Sequence, residues 1–541
     1  MAANEAEKKN NKKKNDTAIN KIHDKQSAHS MPADERADQD MREITRRLKR
    51  VKRIEAGGGL DTPLGESVRR RLTETGTSAF EHMRDPYPMP SEVMGTTGVA
   101  DQLYHGMDKV DKVPAKLYQR YDVKRGLRNS DGSGVLVGLT TISNVHGYNK
   151  VDGWVVPDEG RLTLRGYDIA DLVHGATDED RFGYEEIAYL LLSGALPSAD
   201  ELADFKARIG MRRQLPDGFL RSFPRATYSH SIMNVLQRAT LMLYAFDPIP
   251  DDTSPEHEID VAVSLLGRWP RVAAVASEAY RASEENRQLL VPPAREDYSM
   301  AETVLDILRG DEGFSVDEAR MLDVMLMLHA EHGGGNNSTF TCRVLSSSAT
   351  DAYSAYAGAL GSLKGPKHGG ANAQVSRMID DIAQNVNHWD DEDELASYLT
   401  RILKGEVFDG SGLIYGLGHA VYSKTDPRAE VVRAYAEKLA HKKGDDGRLG
   451  LIESIERIGP ELMKEVRGTD KAICANIDLY SGFVYSMLGV PEELYTPIFA
   501  LARLAGWASH RMEEMYGAAR IIRPAYNSYM TNQAYVPLAE R

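Results

Sequence analysis

The sequence predicts an all-α, predominantly helical protein with a few short N-terminal strands. Apolar residues recur at helical spacing through nearly all of the chain beyond residue 184. Patterns typical of strands are confined to residues 134–169. No glycine-rich loop leads from a strand into a helix, which argues against a nucleotide-binding α/β fold.

The strand signals come first along the chain. Gly134–Ser143 reads G-V-L-V-G-L-T-T-I-S, and Arg161–Ile169 reads R-L-T-L-R-G-Y-D-I, with a turn region rich in Gly and Asp between them. Segments with helical periodicity follow. They are Tyr184–Ser193, Ala199–Ile209, Ile232–Tyr244, Glu258–Arg281, Ser299–Leu308, Val316–Glu331, Ala352–Leu363, Ala371–Asn385, Glu392–Lys404, Ala429–Lys442, Leu479–Leu488 and Pro497–Met515.

The N-terminal region differs in composition from the rest of the chain. Residues 1 to about 30 have almost no large apolar side chains, so they cannot offset the entropy of ordering. A charged helical stretch follows from Ala33 to Ile54. The first 55 residues carry a net charge of +5 and the remainder −19. We therefore expect a flexible basic arm with a charged helix over residues 1–55, and its lysine run favours a solvated tail over a nucleic-acid patch.

Composition also restricts the surroundings and partners of the protein. Two cysteines, Cys342 and Cys474, are too few for a disulfide framework in so long a chain. No apolar run reaches the roughly 20 residues needed to cross a bilayer, so we expect a cytoplasmic protein without membrane contact. The acidic body argues against nucleic-acid partners. An anionic substrate would need a local cluster of Arg or Lys.

One candidate segment for catalysis or binding combines a buried helix with two histidines. Met321–Leu328 is apolar on nearly every face, which predicts a helix in the protein interior. His329 and His332 follow at its end, and three glycines then permit close approach of the backbone to another group. By itself such a pair is more typical of a helix-end cap or a hydrogen-bonded core pair. A metal site would lack a third ligand.

A second segment runs from Asp409 to Arg428. Four glycines lead to His419, and the cation Lys424 follows before Arg428. A histidine in an ordinary surface loop would satisfy this pattern too. The combination of flexible backbone, titratable ring and positive charge favours recognition of an anionic carbonyl compound.

Three further charged residues lie in unusual surroundings. Asp478 begins a helix after an apolar run, a position that a helix N-cap would also explain. Arg503 is flanked by apolar residues, and because desolvating a guanidinium is costly, it needs an anion from the protein or a ligand. Arg523 precedes a proline near the C-terminus, which predicts extended chain that can reach elsewhere.

These segments occur in an order that resembles one family. The blocks are L-R-G-Y-D-I-A-D-L, Y-E-E-I-A-Y-L-L-L-S-G-A-L-P, L-H-A-E-H-G-G-G-N, G-P-K-H-G-G-A-N, G-L-G-H-A-V-Y-S-K-T-D-P-R, N-I-D-L-Y-S-G and A-R-L-A-G-W. Together they resemble the citrate synthase family from about Gly134 to Tyr526. The resemblance implies a homodimer with a two-domain fold, in which a large helical domain (56–334 and 484–541) and a small helical domain (335–483) close over the substrates.

The resemblance also implies a role for particular residues. The catalytic residues would be His332, His419 and Asp478. The arginines that hold the oxaloacetate carboxylates would be Arg428, Arg503 and, from the partner subunit, Arg523. The CoA site would include Lys424, Gly365, Gly416 and Gly418, with Ser423 where many members have a basic residue. No cofactor is implied, since acetyl-CoA is a substrate.

The implied activity is condensation of acetyl-CoA with oxaloacetate to citrate and CoA. Asp478 would act as base, His332 would donate a hydrogen bond to the thioester oxygen, and His419 would polarise the ketone. The alternatives are a 2-methylcitrate synthase, which uses propionyl-CoA, and an inactive scaffold paralogue. One methylene in an apolar pocket changes the binding free energy by only about 1–3 kcal/mol. The sequence therefore does not decide between acetyl-CoA and propionyl-CoA.

Overall fold

The computed structural model describes residues 113–219, 229, 231–289, 291–517 and 520–541. The predicted basic arm (1–55) lies outside these residues, as does the rest of the chain before residue 113. Residues Pro114–Arg541 form one compact unit. The predicted division into a large and a small domain stays a prediction.

The described residues are mostly helical, as predicted, with one small antiparallel sheet. The strands are β1 (Ser143–Val151), β2 (Trp154–Leu164) and β3 (Tyr167–Asp168). The helices are α1 (Ala115–Arg120), α2 (Ile169–Asp178), α3 (Tyr184–Ser193), α4 (Ala199–Met211), α5 (Ile232–Leu243), α6 (Pro255–Glu284), α7 (Met300–Arg309), α8 (Val316–His329), α9 (Asn337–Ser346), α10 (Ala352–Leu363), α11 (Ala371–Asn385), α12 (Glu392–Leu403), α13 (Pro427–Lys443), α14 (Asp446–Arg467), α15 (Asp478–Met487) and α16 (Tyr495–Tyr516).

The sheet differs from the prediction at its start. The run from Gly134 to Ile142 is not a strand, because among the described residues only Gly134 pairs, in an isolated bridge with Arg128. Leu136 and Leu139 in this run are 84% and 89% exposed. Pairing begins at Ser143, which lies opposite Leu164. A tight turn joins β1 to β2 at Asp152 and Gly153, both with positive φ, as in a two-residue hairpin.

The helices largely follow the predicted pattern. Three of them, α3, α10 and α11, have the predicted bounds, because apolar spacing and end signals coincide there. The prediction missed α1, α2, α9 and α14. The last of these contains Pro460 and Gly459 in its interior, residues that normally argue against a helix, and is held by its buried apolar face.

The core is centred on two long helices, α6 and α16, which pack against each other. Their indole rings at Trp269 and Trp507 meet edge to face with centroids 6.3 Å apart, and both are fully buried. The buried Arg511 of α16 is paired with Glu258 of α6 through two hydrogen bonds of 2.7 and 2.5 Å. Helix α8 is buried along its apolar length, as predicted, and also packs on α16.

A second group of helices, α11 to α15, completes the framework around the candidate site. Within it α15 packs on α11 and α13, and α14 packs on α12 and α13. The end of α8, the start of α13 and the start of α15 thereby approach one another. None of the described helices is long and apolar enough to cross a membrane.

Candidate active site

The converging helix ends enclose a cavity of about 450 Å³. Its lining contains most of the residues that the sequence singled out for chemistry. They are His329, His332, Gly418, His419, Arg428, Asp478 and Arg503. The structure thus brings together residues that are up to 174 positions apart in the chain.

Two imidazoles of the cavity, His332 and His419, contact each other edge to face with ring centroids 5.1 Å apart. Tyr422 packs beside both, stacked on His419 at 4.5 Å, and its hydroxyl lies 3.2 Å from Nε2 of His332. Burial lowers the pKa of His332 well below its ordinary value, and the positive charge of Arg428 adds to this effect. His332 is therefore neutral near pH 7.

The turn that carries His332 is held by the carboxylate of Glu331. This carboxylate accepts hydrogen bonds from the Gly333 amide at 2.6 Å and from the Ser143 hydroxyl at 2.9 Å, and lies 2.9 Å from Nε2 of His510. Burial raises the pKa of Glu331, but His510 and Arg503 outweigh it and hold the pKa at about 2. The anchor is therefore a permanent negative charge.

The hydrogen bonds of His419 fix its tautomer. Its Nδ1 accepts from the backbone amides of Val421 at 3.1 Å and Tyr422 at 3.0 Å, so this nitrogen carries no proton. Burial, followed by the nearby charge of Arg428, lowers the pKa of His419 to about 4. The ring is therefore neutral, and its single proton is on Nε2, available for donation.

The glycine loop before His419 sets this residue beside Asp478. Gly418 donates to the Cys474 carbonyl at 2.7 Å, and the side-chain amide of Asn476 donates back to the Gly418 carbonyl at 2.9 Å. Gly416 has φ +85°, and a Cβ there would press on Leu479. The loop consequently requires glycine where it passes the start of α15.

Asp478 is the first residue of α15, and its amide donates to the side chain of Asn476 at 3.0 Å. Burial raises the pKa of its carboxyl to about 6, against the lowering effects of Arg428 and Arg503. Asp426 contributes a further increase. A carboxyl with this pKa is ionised at pH 7 and is a stronger base than an exposed aspartate.

Arg503 is fully buried in the floor of the cavity. Its Nε donates to the His329 carbonyl at 2.7 Å, and its guanidinium lies over the Phe499 ring, 4.5 Å from the centroid. Nη1 and Nη2 have no hydrogen-bond partner among the described residues. Burial lowers the pKa of Arg503 to about 10, so it stays charged. These two nitrogens need an anion, and no described protein carboxylate supplies one.

Arg428 stands at the start of α13 and is also buried. Its partner is Asp426, which accepts from Nε at 3.1 Å and from Nη2 at 2.8 Å. This pair is stable because the carboxylate receives a bidentate contact and a backbone amide as well. Arg428 still lines the cavity, where its charge lowers the pKa values of His332 and His419.

Arg523 is placed differently from the other two arginines. It is exposed, in the extended segment after α16, and is not among the residues that line the cavity of its own chain. The neighbouring Ile522 amide donates to Ser347 at 3.1 Å. The predicted role of Arg523 in a partner subunit stays a prediction.

The residues predicted for CoA fall into two groups. Gly418 lines the cavity, and Gly416 supports the same loop. Lys424 is exposed and forms an ion pair with Glu159 of β2 at 3.5 Å. Gly365 lies in the turn after α10. Neither residue lines the cavity. Their predicted contact with CoA stays untested.

The sequence analysis missed His368 as a cavity residue. The G-P-K-H-G-G-A-N block was assigned to the CoA site through Gly365, yet its histidine lines the cavity. Nε2 of His368 lies 3.3 Å from the Ser338 amide nitrogen and 3.0 Å from the Ser338 hydroxyl, which itself donates to Oδ1 of Asn336. Burial lowers its pKa to about 4. A histidine among glycines, as at His419, was the signal available.

His329 is the fourth imidazole of the cavity. It is 1% exposed, and neither ring nitrogen has a hydrogen-bond partner among the described residues. No group of three His, Cys, Asp or Glu side chains within the described ranges is placed to hold a metal ion. The cavity therefore offers imidazoles, one carboxylate, the two buried cations Arg428 and Arg503, and the more exposed cations Arg128 and Lys367.

Comparison with known sequences identifies relatives of two kinds. The sequence model described as "Citrate synthase, C-terminal domain" matches residues 130–525. The chain is 36% identical over 387 residues to a citrate synthase from Deinococcus radiodurans, covering 71% of this chain and 93% of the relative. It is 33% identical over 425 residues to 2-methylcitrate synthase 1 from Corynebacterium glutamicum, covering 77% and 98%.

Solved structures give the same result for the fold. The citrate synthase of Pyrobaculum aerophilum superposes with a TM-score of 0.61 at 27% identity, covering 76% of this chain and 94% of that one. The Thermoplasma acidophilum enzyme, solved as a ternary complex with carboxymethyl coenzyme A and oxaloacetate, gives 0.63 at 25% identity, covering 77% and 99%.

Proposed function

Since the chain belongs to the citrate synthase family, and is an acyltransferase, we propose that it condenses acetyl-CoA with oxaloacetate and water to give citrate and CoA. The observation that carries this proposal is the content of one cavity. A carboxylate with a raised pKa, neutral imidazoles, of which His419 has a defined donor proton, and a guanidinium with two free nitrogens meet there. This is what enolisation of a thioester beside a bound oxo acid requires.

The dicarboxylate would bind through the arginines. The free Nη1 and Nη2 of Arg503 suit a bidentate carboxylate contact in a dry site, where such a contact is strong. Arg428 adds positive charge nearby while paired with Asp426. Arg523 of a partner subunit would complete the site in a homodimer.

The ketone of the oxo acid would be polarised by His419. Its Nε2 proton is fixed by the two amides on Nδ1, so the ring donates without needing to become charged. The neutral ring stabilises the developing alkoxide by this hydrogen bond, and the proton that Asp478 takes from the methyl group balances the one that the new alcohol gains. His332, which contacts the His419 ring and Tyr422, lies on the same side of the cavity.

Enolisation would use Asp478 as base. Asp478 removes a proton from the acetyl methyl group while a hydrogen bond stabilises the thioester oxygen, and the enol carbon then forms the new bond to the ketone carbon. Water hydrolyses the resulting thioester, and CoA leaves as the thiol. Closure of the cavity keeps water out until the carbon–carbon bond has formed.

Two imidazoles compete for the hydrogen bond to the thioester oxygen. His332 takes this role by the family resemblance. His368 lines the same cavity, but its Nε2 lies near both the amide and the hydroxyl of Ser338, so its contacts do not fix its tautomer. We propose that His332 polarises the thioester, with His368 as the second candidate for this role.

Exchange of the acetyl methyl protons with deuterated solvent separates these roles. With a non-reacting oxaloacetate analogue bound, His332→Ala should abolish exchange but retain the analogue affinity. His368→Ala should lower the exchange rate by less than about tenfold. Loss of exchange only in His368→Ala would assign the thioester to His368.

Turnover measurements test whether the acyl group of the substrate is acetyl or propionyl. Purified protein should release CoA thiol from acetyl-CoA only when oxaloacetate is present, which an inactive scaffold would not do. The ratio of kcat/KM for acetyl-CoA to that for propionyl-CoA should exceed about tenfold, the value of one methylene. A ratio below one would identify a 2-methylcitrate synthase instead, as the similarity to relatives of that kind would allow.

A further inference from the structure

A short segment before the family domain reaches the candidate site. The family match begins at residue 130, and the described chain before it contains α1 and a single 3-10 turn at Arg125–Leu127. Gly126 and Leu127 both have positive φ, 62° and 54°, which reverses the chain there. The Val135 amide donates to the Leu127 carbonyl at 2.9 Å and closes the loop. The segment is therefore folded, with Arg128 at its edge.

Arg128 touches the loop that follows His419. Its Nη1 donates to the Ala420 carbonyl at 3.3 Å and to the Gly132 carbonyl at 3.3 Å. Arg128 lines the 450 Å³ cavity and also an adjoining cavity of about 520 Å³. The two cavities share His332 and His419. Arg128 thus stands where the catalytic cavity opens into its neighbour.

The charge of Arg128 is uncompensated at this position. No carboxylate of a described residue lies within 4.0 Å of its guanidinium, whose Nε and Nη2 make no hydrogen bond to the described chain. The cation nearest in sequence to His419, Lys424, is instead paired with Glu159 at 3.5 Å. Ser423 carries no charge. The loop after His419 therefore receives its free positive charge from Arg128.

We propose that Arg128 binds a phosphate group of the acyl-CoA substrate. This inference rests on the proposed function, in which the thioester reaches Asp478 and the phosphates remain toward the cavity mouth. A guanidinium with free N–H groups matches phosphate oxygens in a bidentate contact. The dicarboxylate is the less suitable ligand, because the buried Arg503 already offers it two free nitrogens deeper in the cavity.

The experiment compares thioesters that differ only in phosphate. Arg128→Ala and wild type are assayed with acetyl-CoA, acetyl-dephospho-CoA, which lacks the 3′-phosphate, and S-acetylpantetheine, which lacks all phosphates. Arg125→Ala is the matched control, because Arg125 lies in the same turn but packs on the Tyr118 ring at 4.6 Å and lines neither cavity. Binding of CoA and pantetheine is measured in parallel by calorimetry, which needs no turnover.

The expected result is a loss of about 10- to 100-fold in kcat/KM for acetyl-CoA, the value of a hydrogen bond to a charged group. The KM for oxaloacetate should not change. The loss should vanish with S-acetylpantetheine, and its size with acetyl-dephospho-CoA assigns the contact to the 3′-phosphate or the diphosphate.

Two outcomes overturn the proposal. An equal loss with S-acetylpantetheine would mean that Arg128 only positions the His419 loop, and a rise confined to the KM for oxaloacetate would assign it to the dicarboxylate. If wild type binds CoA but condenses no acyl-CoA, the proposed function fails, and the calorimetric comparison still decides whether Arg128 binds phosphate.

Discussion

Replacing the proposed base, Asp478→Asn, should abolish condensation and at the same time stabilise the fold. The carboxyl lies among buried groups at the start of α15, where burial raises its pKa from 3.8 to about 6. A raised carboxyl pKa means that the ionised form is disfavoured in the folded state relative to the unfolded state. The asparagine keeps the shape and carries no charge.

The magnitude follows from the difference between the two pKa values. A shift of roughly two units corresponds to about 3 kcal/mol at 1.36 kcal/mol per unit, an upper bound since the side chain keeps some contact with solvent. The free energy of unfolding of the wild type decreases by this amount as the pH rises from about 4 to about 6, and it does not decrease further above about pH 6. The variant lacks the loss, so the difference between them grows across that window.

The assay combines unfolding and turnover. Unfolding of wild type and variant by denaturant is followed at pH 4, 5, 6, 7 and 8 under identical salt. Condensation is followed by thiol release, and oxaloacetate binding by calorimetry. The advantage of the variant in free energy of unfolding should grow between about pH 4 and 6 and stay constant above. The variant should still bind oxaloacetate and lose turnover by several orders of magnitude.

Two results would refute the reasoning. If the variant were less stable than wild type at pH 8, the carboxylate would be stabilised by its arginines and not strained by burial. If condensation continued at more than a few per cent of the wild-type rate, Asp478 would not be the base. Either result is readable by itself, because stability and turnover are measured separately.

The remaining predictions concern the cations. Arg503→Gln should raise the KM for oxaloacetate by about 10- to 100-fold with little change in the melting temperature, because the Nη atoms have no partner to lose and the glutamine amide can replace Nε as donor to the His329 carbonyl; a large loss of stability would contradict this. Asp426→Asn should destabilise the fold by about 3–5 kcal/mol, since it leaves Arg428 buried and unpaired, and unchanged unfolding would argue against the pair. Co-expressed Arg523→Ala and Asp478→Asn subunits should regain activity in verified mixed dimers, because one site receives both intact residues; failure would place Arg523 outside the partner's site.

Local patterns were sufficient for much of the helical framework. Apolar spacing and capping signals are local properties, so the sequence predicted α3, α10 and α11 with their bounds. The failures have equally local causes. The run from Gly134 to Ile142 has strand composition, but among the described residues it pairs only through the isolated bridge of Gly134 with Arg128. Helix α14 has helix-breaking residues in its interior, and its buried apolar face compensates for them.

The sequence predicted a shared site for His332, His419, Asp478 and Arg503. This prediction came only from the resemblance of their sequence blocks to a family. Physical reasoning from single segments left a structural explanation open for most of them. What it did establish is that Arg503, among apolar neighbours, needs an anion. Among the described residues no carboxylate pairs with Arg503, whose Nη1 and Nη2 have no hydrogen-bond partner, and the need for an anionic ligand stays a prediction.

Tertiary structure alone decided which atoms face one another. The donor proton of His419, the entry of His368 into the cavity and the contact of Arg128 with Ala420, 292 residues away, depend on how distant segments pack. Periodicity and spacing report which side of an element is buried, not which neighbour it meets. A proton or a free charge is assigned only when every hydrogen-bond partner is known, and those partners come from the whole fold.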